Sequence, residues 1–268
     1  MLTSSEIFRR ETLQTGITKV RQPMDAVVRL DPLRKLDPGA LSSVIRDSAG
    51  YHFFKRALDV TVAAIALVIL LPAMALIAVL IAVDSPGSVI FSQKRVGARR
   101  WTRGGSGYWR RVDFTCYKFR TMVQDAETSI HQHYVEAFIN GRVEPSGSEG
   151  TQFKLANDTR VTRVGRILRR TSMDELPQLA NVLKGEMSLV GPRPPIQYEV
   201  DEYQPWHCGR LQAKPGLTGL WQVTARSSAE FDVMARLDIN YIENQTLWLD
   251  LQILLKTLPA VWSGKGAV

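Results

Sequence analysis

From Val60 to Val83 the chain runs 24 residues without a charged side chain, with Thr61 the one polar residue among them. Fourteen of the 24 are Val, Ile or Leu, which together favour insertion into a bilayer by about 4–8 kcal/mol. A core helix of a water-soluble domain keeps a polar stripe, and this segment has none. It therefore predicts a membrane-embedded helix. Lys55 and Arg56 precede the segment, while Lys94, Arg95, Arg99, Arg100 and Arg103 follow it. Positive charge on both flanks pulls both ends to the cytoplasmic side. Pro72 sits at the centre, where it removes a backbone donor and kinks or breaks the helix. Each arm is then roughly 18 Å long, against a hydrocarbon core of ~30 Å. A re-entrant helical hairpin broken at Pro72 satisfies all three constraints. The competing arrangement is a tilted, proline-kinked span that places the soluble domain outside, against the charge rule.

The expected organisation is a polar N-terminal tail over 1–50, a membrane-embedded segment over 51–87 and a soluble α+β domain over 88–268. No secretory signal opens the sequence. A net charge of +8 and a pI near 9.7 point to a polyanionic partner: nucleic acid, anionic lipid or a phosphorylated substrate. Nucleic acid is disfavoured, because the basic stretches lack interleaved aromatic residues or a recognition motif. Two cysteines, Cys116 and Cys208, make neither a disulfide framework nor a ligand cluster and fit a reducing compartment. His131 and His133 read as solvated loop histidines in preference to a metal half-site.

Val89–Phe91 and Phe114–Met122 are predicted strands, with a turn at Gly104–Gly107. Residues 94–120 hold nine Lys or Arg against the single acid Asp113, a basic face suited to lipid head groups or a diphosphate. Residues 125–156 read as a variable helix plus loop. Arg163, Arg166 and Arg170 share one helical face, with Val161, Val164 and Leu168 on another, so a basic interfacial helix is expected there. Leu247–Trp262 is too short to span and either docks at the interface or closes the core.

Ser172-Met-Asp-Glu175 fits a helix capping box, followed by Leu176, Leu179, Val182 and Leu183 with Gly185 as a stop. An acidic first turn is what a helix start favours. Pro177 argues against a regular first turn, however, and five arginines between 160 and 170 would hold both carboxylates ionised. A carboxylate nucleophile, a second carboxylate for a divalent cation, and guanidinium groups for phosphate charge make a workable phosphoryl-transfer site. Gly191-Pro-Arg-Pro-Pro195 is a rigid turn presenting Arg193, either as a plain connection or as a fixed phosphate contact.

The run Arg169-Arg-Thr-Ser-Met-Asp-Glu-Leu-Pro-Gln-Leu-Ala-Asn-Val-Leu-Lys-Gly-Glu-Met-Ser-Leu-Val-Gly-Pro-Arg-Pro194 resembles the signature of the bacterial sugar transferases, the monotopic phosphoglycosyl transferases. Tyr117–Met122, Lys214–Gln222 and Leu247–Leu251 are similar to further blocks of that family. The resemblance implies a re-entrant hairpin broken at Pro72, interfacial helices and a cytoplasmic-facing site on the bacterial inner membrane. It also implies a Mg²⁺-dependent, two-step reaction initiating exopolysaccharide synthesis. Asp174 would attack the β-phosphate of a UDP-sugar and release UMP. Polyprenyl phosphate would then accept the phosphosugar, with glucose or galactose the expected sugar. Glu175 would help hold Mg²⁺, and Lys118, Arg120, Arg169 and Arg193 would contact phosphates and nucleotide. Leu71 precedes Pro72 where some members carry a small polar residue. Hydrolysis of a nucleotide sugar by water, or a non-catalytic basic anchor, are the alternative readings. The sequence sets no oligomeric state.

Overall fold

The computed structural model describes residues 48–103, 106–124, 129–142, 158–224 and 230–263. Nearly all of the expected N-terminal tail, and most of 125–156, lie outside them. Along the chain come helix α1 (Ala49–Asp84), strands β1 (Ile90–Arg103) and β2 (Ser106–Phe119), and helices α2 (Ser129–Ile139) and α3 (Arg163–Thr171). A 3₁₀ turn (Met173–Glu175), α4 (Gln178–Lys184), β3 (Ser188–Val190) and α5 (Gln197–Asp201) follow. The chain continues through a second 3₁₀ segment (Pro205–Leu211), β4 (Gly216–Thr218), α6 (Leu220–Thr224), α7 (Phe231–Glu243) and α8 (Leu247–Ser263). It is a mixed helix and sheet protein with one helix, α1, long and apolar enough to cross a membrane among the described residues.

Ser48 caps α1, accepting a hydrogen bond from the Tyr51 N–H. Pro72 lies inside the helix, so the expected break is not a gap in the helical backbone. One proline deletes a single i to i−4 hydrogen bond, and its neighbours carry the ladder past it. The side chains of α1 that meet the rest of the chain form one stripe. Lys55, Asp59, Ala63, Ile77 and Ile81 are buried, and Ala66, Leu67, Met74 and Ala78 pack beside them. These positions recur every three or four residues, the repeat of one helical face. Val68 and Pro72 are exposed on the opposite face.

Both ends of α1 are tied to the same folded unit. Near the start, Arg56 donates to the Val182 and Leu183 carbonyls at 2.6 and 2.7 Å, closing the C-terminal end of α4, whose last carbonyls lack helical partners. The Asp59 carboxylate accepts from the Ser188 hydroxyl and the Leu189 N–H at 3.0 and 2.9 Å. Lys55 pairs with buried Asp250 at 2.9 Å, and the Tyr241 hydroxyl donates to the same carboxylate at 2.6 Å. At the far end, Asp84 accepts from the Val164 N–H at 3.0 Å, and Arg120 donates to the Ser85 and Pro86 carbonyls.

Strands β1 and β2 form an antiparallel hairpin from Ile90 opposite Phe119 to Arg103 opposite Ser106. The predicted strands are only its base. Its middle carries charges on both faces, so no alternation marks it as strand, and the backbone ladder holds it instead. Strands β3 and β4 form a short parallel pair. The largest core cluster joins Ala63 of α1, Phe114 and Cys116 of β2, Val182 of α4, Met187, Tyr241 of α7 and Ile253 of α8. A second unites α2, α6 and α7 around Phe138, Trp221 and Phe231. A third sets Ile77 and Ile81 of α1 against Phe119 and Leu168. The membrane-type helix is therefore part of the domain core at both ends.

Candidate active site at Asp174 and Glu175

The turn that carries the two carboxylates is bent by the backbone of Ser172. Among the described residues Ser172 is the one non-glycine with positive φ, at 56°, a left-handed conformation that costs about 1–2 kcal/mol for a residue with a side chain. Its N–H closes α3 through the Leu168 and Arg169 carbonyls, and its side chain makes no cap bond to the turn that follows. The predicted capping box is thus replaced by a sharp reversal. Met173–Glu175 then form a separate 3₁₀ turn, and α4 starts only after Pro177, the irregular start that Pro177 implied. Gly185 closes α4 with φ 81°, as expected.

Glu175 is where the cations converge. Its Oε1 accepts from the Lys118 ammonium at 2.8 Å and lies 3.5 Å from Nη1 of Arg193. Lys118 arrives from the end of β2. Arg193 arrives from the proline turn, which is held by β4 and by β1. The Gly191 N–H donates to the Thr218 carbonyl at 2.9 Å and the Gly216 N–H to the Pro192 carbonyl at 2.8 Å. The Val96 N–H donates to the Pro195 carbonyl at 2.9 Å, and Arg95 to the Pro194 carbonyl at 3.0 Å. Gly216 is required here, because a Cβ would stand 2.1 Å from the Gly191 nitrogen.

Arg95, Cys116, Lys118, Glu175, Gln178 and Arg193 line one pocket. Burial pushes the Cys116 thiol up, so it stays protonated beside the carboxylate. Asp174 is buried at 9% exposure. Arg169 lies within electrostatic reach of it: burial lowers the guanidinium's affinity for its proton, and the Asp174 and Asp158 charges work against that. Arg169 also donates to the Thr121 hydroxyl at 3.0 Å. Helix α3 can approach residue 121 so closely only because position 165 is glycine; a Cβ there would meet the Thr121 carbonyl oxygen at 2.1 Å.

Three of the four expected basic side chains, Lys118, Arg169 and Arg193, gather around Glu175 and Asp174 in this way. Arg120 does not join them, because its guanidinium is spent on the carbonyls that follow α1. Arg163, Arg166 and Arg170 point outward and are exposed. Three residues of the site region have places that differ from those the sequence suggested. Arg95 is buried and sits 3.8 Å from Glu199, hidden in a run that reads as a solvated basic face. Arg160 grips Asp158 through two nitrogens at 2.8 and 2.7 Å and holds that carboxyl below its usual range. His131 lies on α2, not in a loop, and meets the Tyr198 hydroxyl at 2.6 Å. Burial, and then the charges of Arg95, Arg193, Arg160 and Arg169, pull its pKa down to about 4. No spacing rule would have found a histidine ringed by arginines from four other segments.

Among the described residues no three His, Cys, Asp or Glu side chains converge on a metal position. Two adjacent carboxylates do fit Mg²⁺, which characteristically takes one or two protein carboxylates and completes its shell with substrate phosphates and water.

A strained, cation-ringed carboxylate pair beside a long apolar helix is the setting in which residues 50–264 match the bacterial sugar transferases. The chain belongs to that family. It is 37% identical to exopolysaccharide production protein ExoY of Rhizobium meliloti over 215 residues, 80% of this chain and 87% of that protein. It is 41% identical to an undecaprenyl-phosphate galactose phosphotransferase of Salmonella typhimurium over 216 residues, 81% of this chain and 42% of that one. It is also 41% identical to a UDP-glucose:undecaprenyl-phosphate glucose-1-phosphate transferase of Caulobacter vibrioides over 221 residues, 80% of this chain and 71% of that protein. As a bacterial sugar transferase the chain is an enzyme, and the matched region holds every described element except the first residue of α1.

Proposed function

We propose that this sugar transferase moves a sugar 1-phosphate from a UDP-sugar to undecaprenyl phosphate, the first membrane step of exopolysaccharide synthesis, with glucose or galactose as the sugar. The observation that carries the reading is the convergence of Lys118 and Arg193 on Glu175, one residue from buried Asp174. An Asp174 oxygen attacks the β-phosphorus of the donor, the bond to the α-phosphate oxygen breaks, and UMP leaves with that electron pair. The aspartyl phosphosugar then passes its phosphorus to an oxygen of polyprenyl phosphate, which regenerates the carboxylate. Lys118 and Arg193 shift from Glu175 onto the phosphates as charge builds there. Arg169 lies within electrostatic reach of Asp174, and a guanidinium there favours the charged, nucleophilic form of a carboxylate. Glu175 is the residue that would help hold Mg²⁺, which when bound neutralises diphosphate charge.

Position relative to the bilayer supports the same reading. Both ends of α1 contact one folded unit, and Val68 and Pro72 share its outer face. A proline ring crowds the carbonyl four residues back and favours a bend away from its own side, which at Pro72 is a bend toward the domain. That favours a hairpin that enters and leaves by the cytoplasmic face of the inner membrane. Trp248, Leu251, Leu255 and Leu258 form an exposed apolar stripe on α8, and Ile167 and Met173 are exposed beside the site. These side chains suit an interface at head-group depth.

The deciding experiment measures UMP release from a panel of UDP-sugars with and without undecaprenyl phosphate, in wild type and Asp174→Asn. The reading requires a lipid-linked sugar product and its disappearance in the variant. UMP formed equally without lipid, or full transfer by Asp174→Asn, would overturn it.

A further inference from the structure

A second cavity, of about 520 Å³, shares no lining residue with the carboxylate pocket. Its walls come from the start of α1, the middle of the β1–β2 hairpin, the end of α4, and residues 213–214. Its volume is within the range of small-molecule sites. Lys55, Arg56, Arg99, Arg100, Lys184 and Lys214 face it, against the carboxylates Asp59, Asp113 and Glu186. Trp109, Val112 and Phe114 add an apolar wall.

Most of these cations already have protein partners. Lys55 is paired with Asp250, Arg56 with two carbonyls, and Lys184 with the Tyr117 hydroxyl. Among the described residues Arg99 meets the Trp101 ring, while Lys214 has no polar partner. It is half-buried, and no hydrogen bond or ion pair joins its ammonium to any described residue. Buried charges are ordinarily paired, because desolvation without a counter-charge is costly. Burial lowers its pKa, and Arg56, Lys55 and Arg99 add to that, opposed by Asp59. The local field therefore calls for an anion.

We propose that this cavity is a phosphate site separate from the catalytic carboxylates, with Lys214 as its central cation. The same chemistry is offered by the phosphodiester of an anionic lipid head group and by free phosphate. The location favours the lipid: Lys55, Arg56 and Asp59 occupy the last turn of α1 before the apolar run begins at Val60. That preference rests on α1 being membrane-embedded; the phosphate site itself does not.

The test uses the full chain in detergent micelles and reads the thermal unfolding midpoint against dioctanoyl phosphatidylglycerol, dioctanoyl phosphatidylcholine and inorganic phosphate. A saturable rise with phosphatidylglycerol and none with phosphatidylcholine is expected. Lys214→Met should weaken it at least tenfold and Arg99→Gln at least threefold, with UMP affinity within twofold of wild type in both. Arg99 sits on an exposed strand position, so its variant tests the site even if Lys214→Met fails to fold. Saturation by inorganic phosphate at the same affinity supports the site and assigns it a soluble ligand. Unchanged phosphatidylglycerol and phosphate binding in both variants would overturn it. Co-sedimentation with phosphatidylcholine vesicles reads insertion of α1 separately, and its loss would remove the lipid source alone.

Discussion

The ammonium of Lys118 rests 2.8 Å from Oε1 of Glu175, so the cation that a diphosphate would need is held in place by the carboxylate next to Asp174. Arg193 shares that oxygen at 3.5 Å. Each charge is therefore only partly desolvated and can be exchanged onto a substrate without leaving a buried ion alone.

Arg193→Lys should keep the positive charge but lose the planar fork that can grip a phosphate through two nitrogens. We expect kcat/KM for UMP release to fall about 10- to 100-fold, and Lys118→Met to fall at least as far. Steady-state assays against UDP-sugar concentration check both, and wild-type kinetics in either variant would remove that residue from the site.

Gly165→Ala places a methyl group against the Thr121 carbonyl and pushes α3 away from it. Overpacking of this kind costs about 1–3 kcal/mol, and here it also draws Arg169 off Thr121. A lower unfolding midpoint together with reduced transfer is expected, measured on the same preparation.

His131, with its pKa pulled down to about 4, is neutral in the folded chain at pH 7, whereas the unfolded side chain titrates near 6.5. Between those values the unfolded state binds the extra proton, so His131 makes stability fall as pH drops from about 6.5 toward 4. Below that window the loss is complete. Melting curves of wild type and His131→Gln across this range should differ by that slope, with the variant flatter, and parallel curves would contradict it.

Cysteines placed at Phe53 and Ser88, both exposed, should react with a membrane-impermeant thiol reagent from the same side of inverted vesicles. Labelling from opposite sides would replace the hairpin with a span.

The sequence makes some of this legible and hides the rest for physical reasons. The apolar run, the stop at Gly185 and the disturbed helix start at Pro177 depend on local chemistry, and all three are found in the structure. Ser172 misleads because a capping serine and a left-handed serine look alike until the backbone is placed. Arg95 and Arg120 sit in the same basic stretch as Lys118, but one supports the proline turn, one closes α1, and Lys118 reaches Glu175. Their partners lie far along the chain: Pro194 for Arg95, Ser85 for Arg120 and Glu175 for Lys118. The length of the β1–β2 hairpin was hidden for a related reason, since its pairing is made by backbone groups that carry no residue code.

The meeting of Ala63 and Ile253 in one core cluster bears on how the protein is made. Long-range contacts of this kind close late, after the intervening chain exists. During synthesis the apolar helix leaves the ribosome nearly two hundred residues before its partner in α8, with nothing of the domain yet available to cover it. The bilayer is the surface that can receive it in that interval. On the proposed membrane placement of α1, insertion precedes folding, and the domain is assembled against a helix already in place.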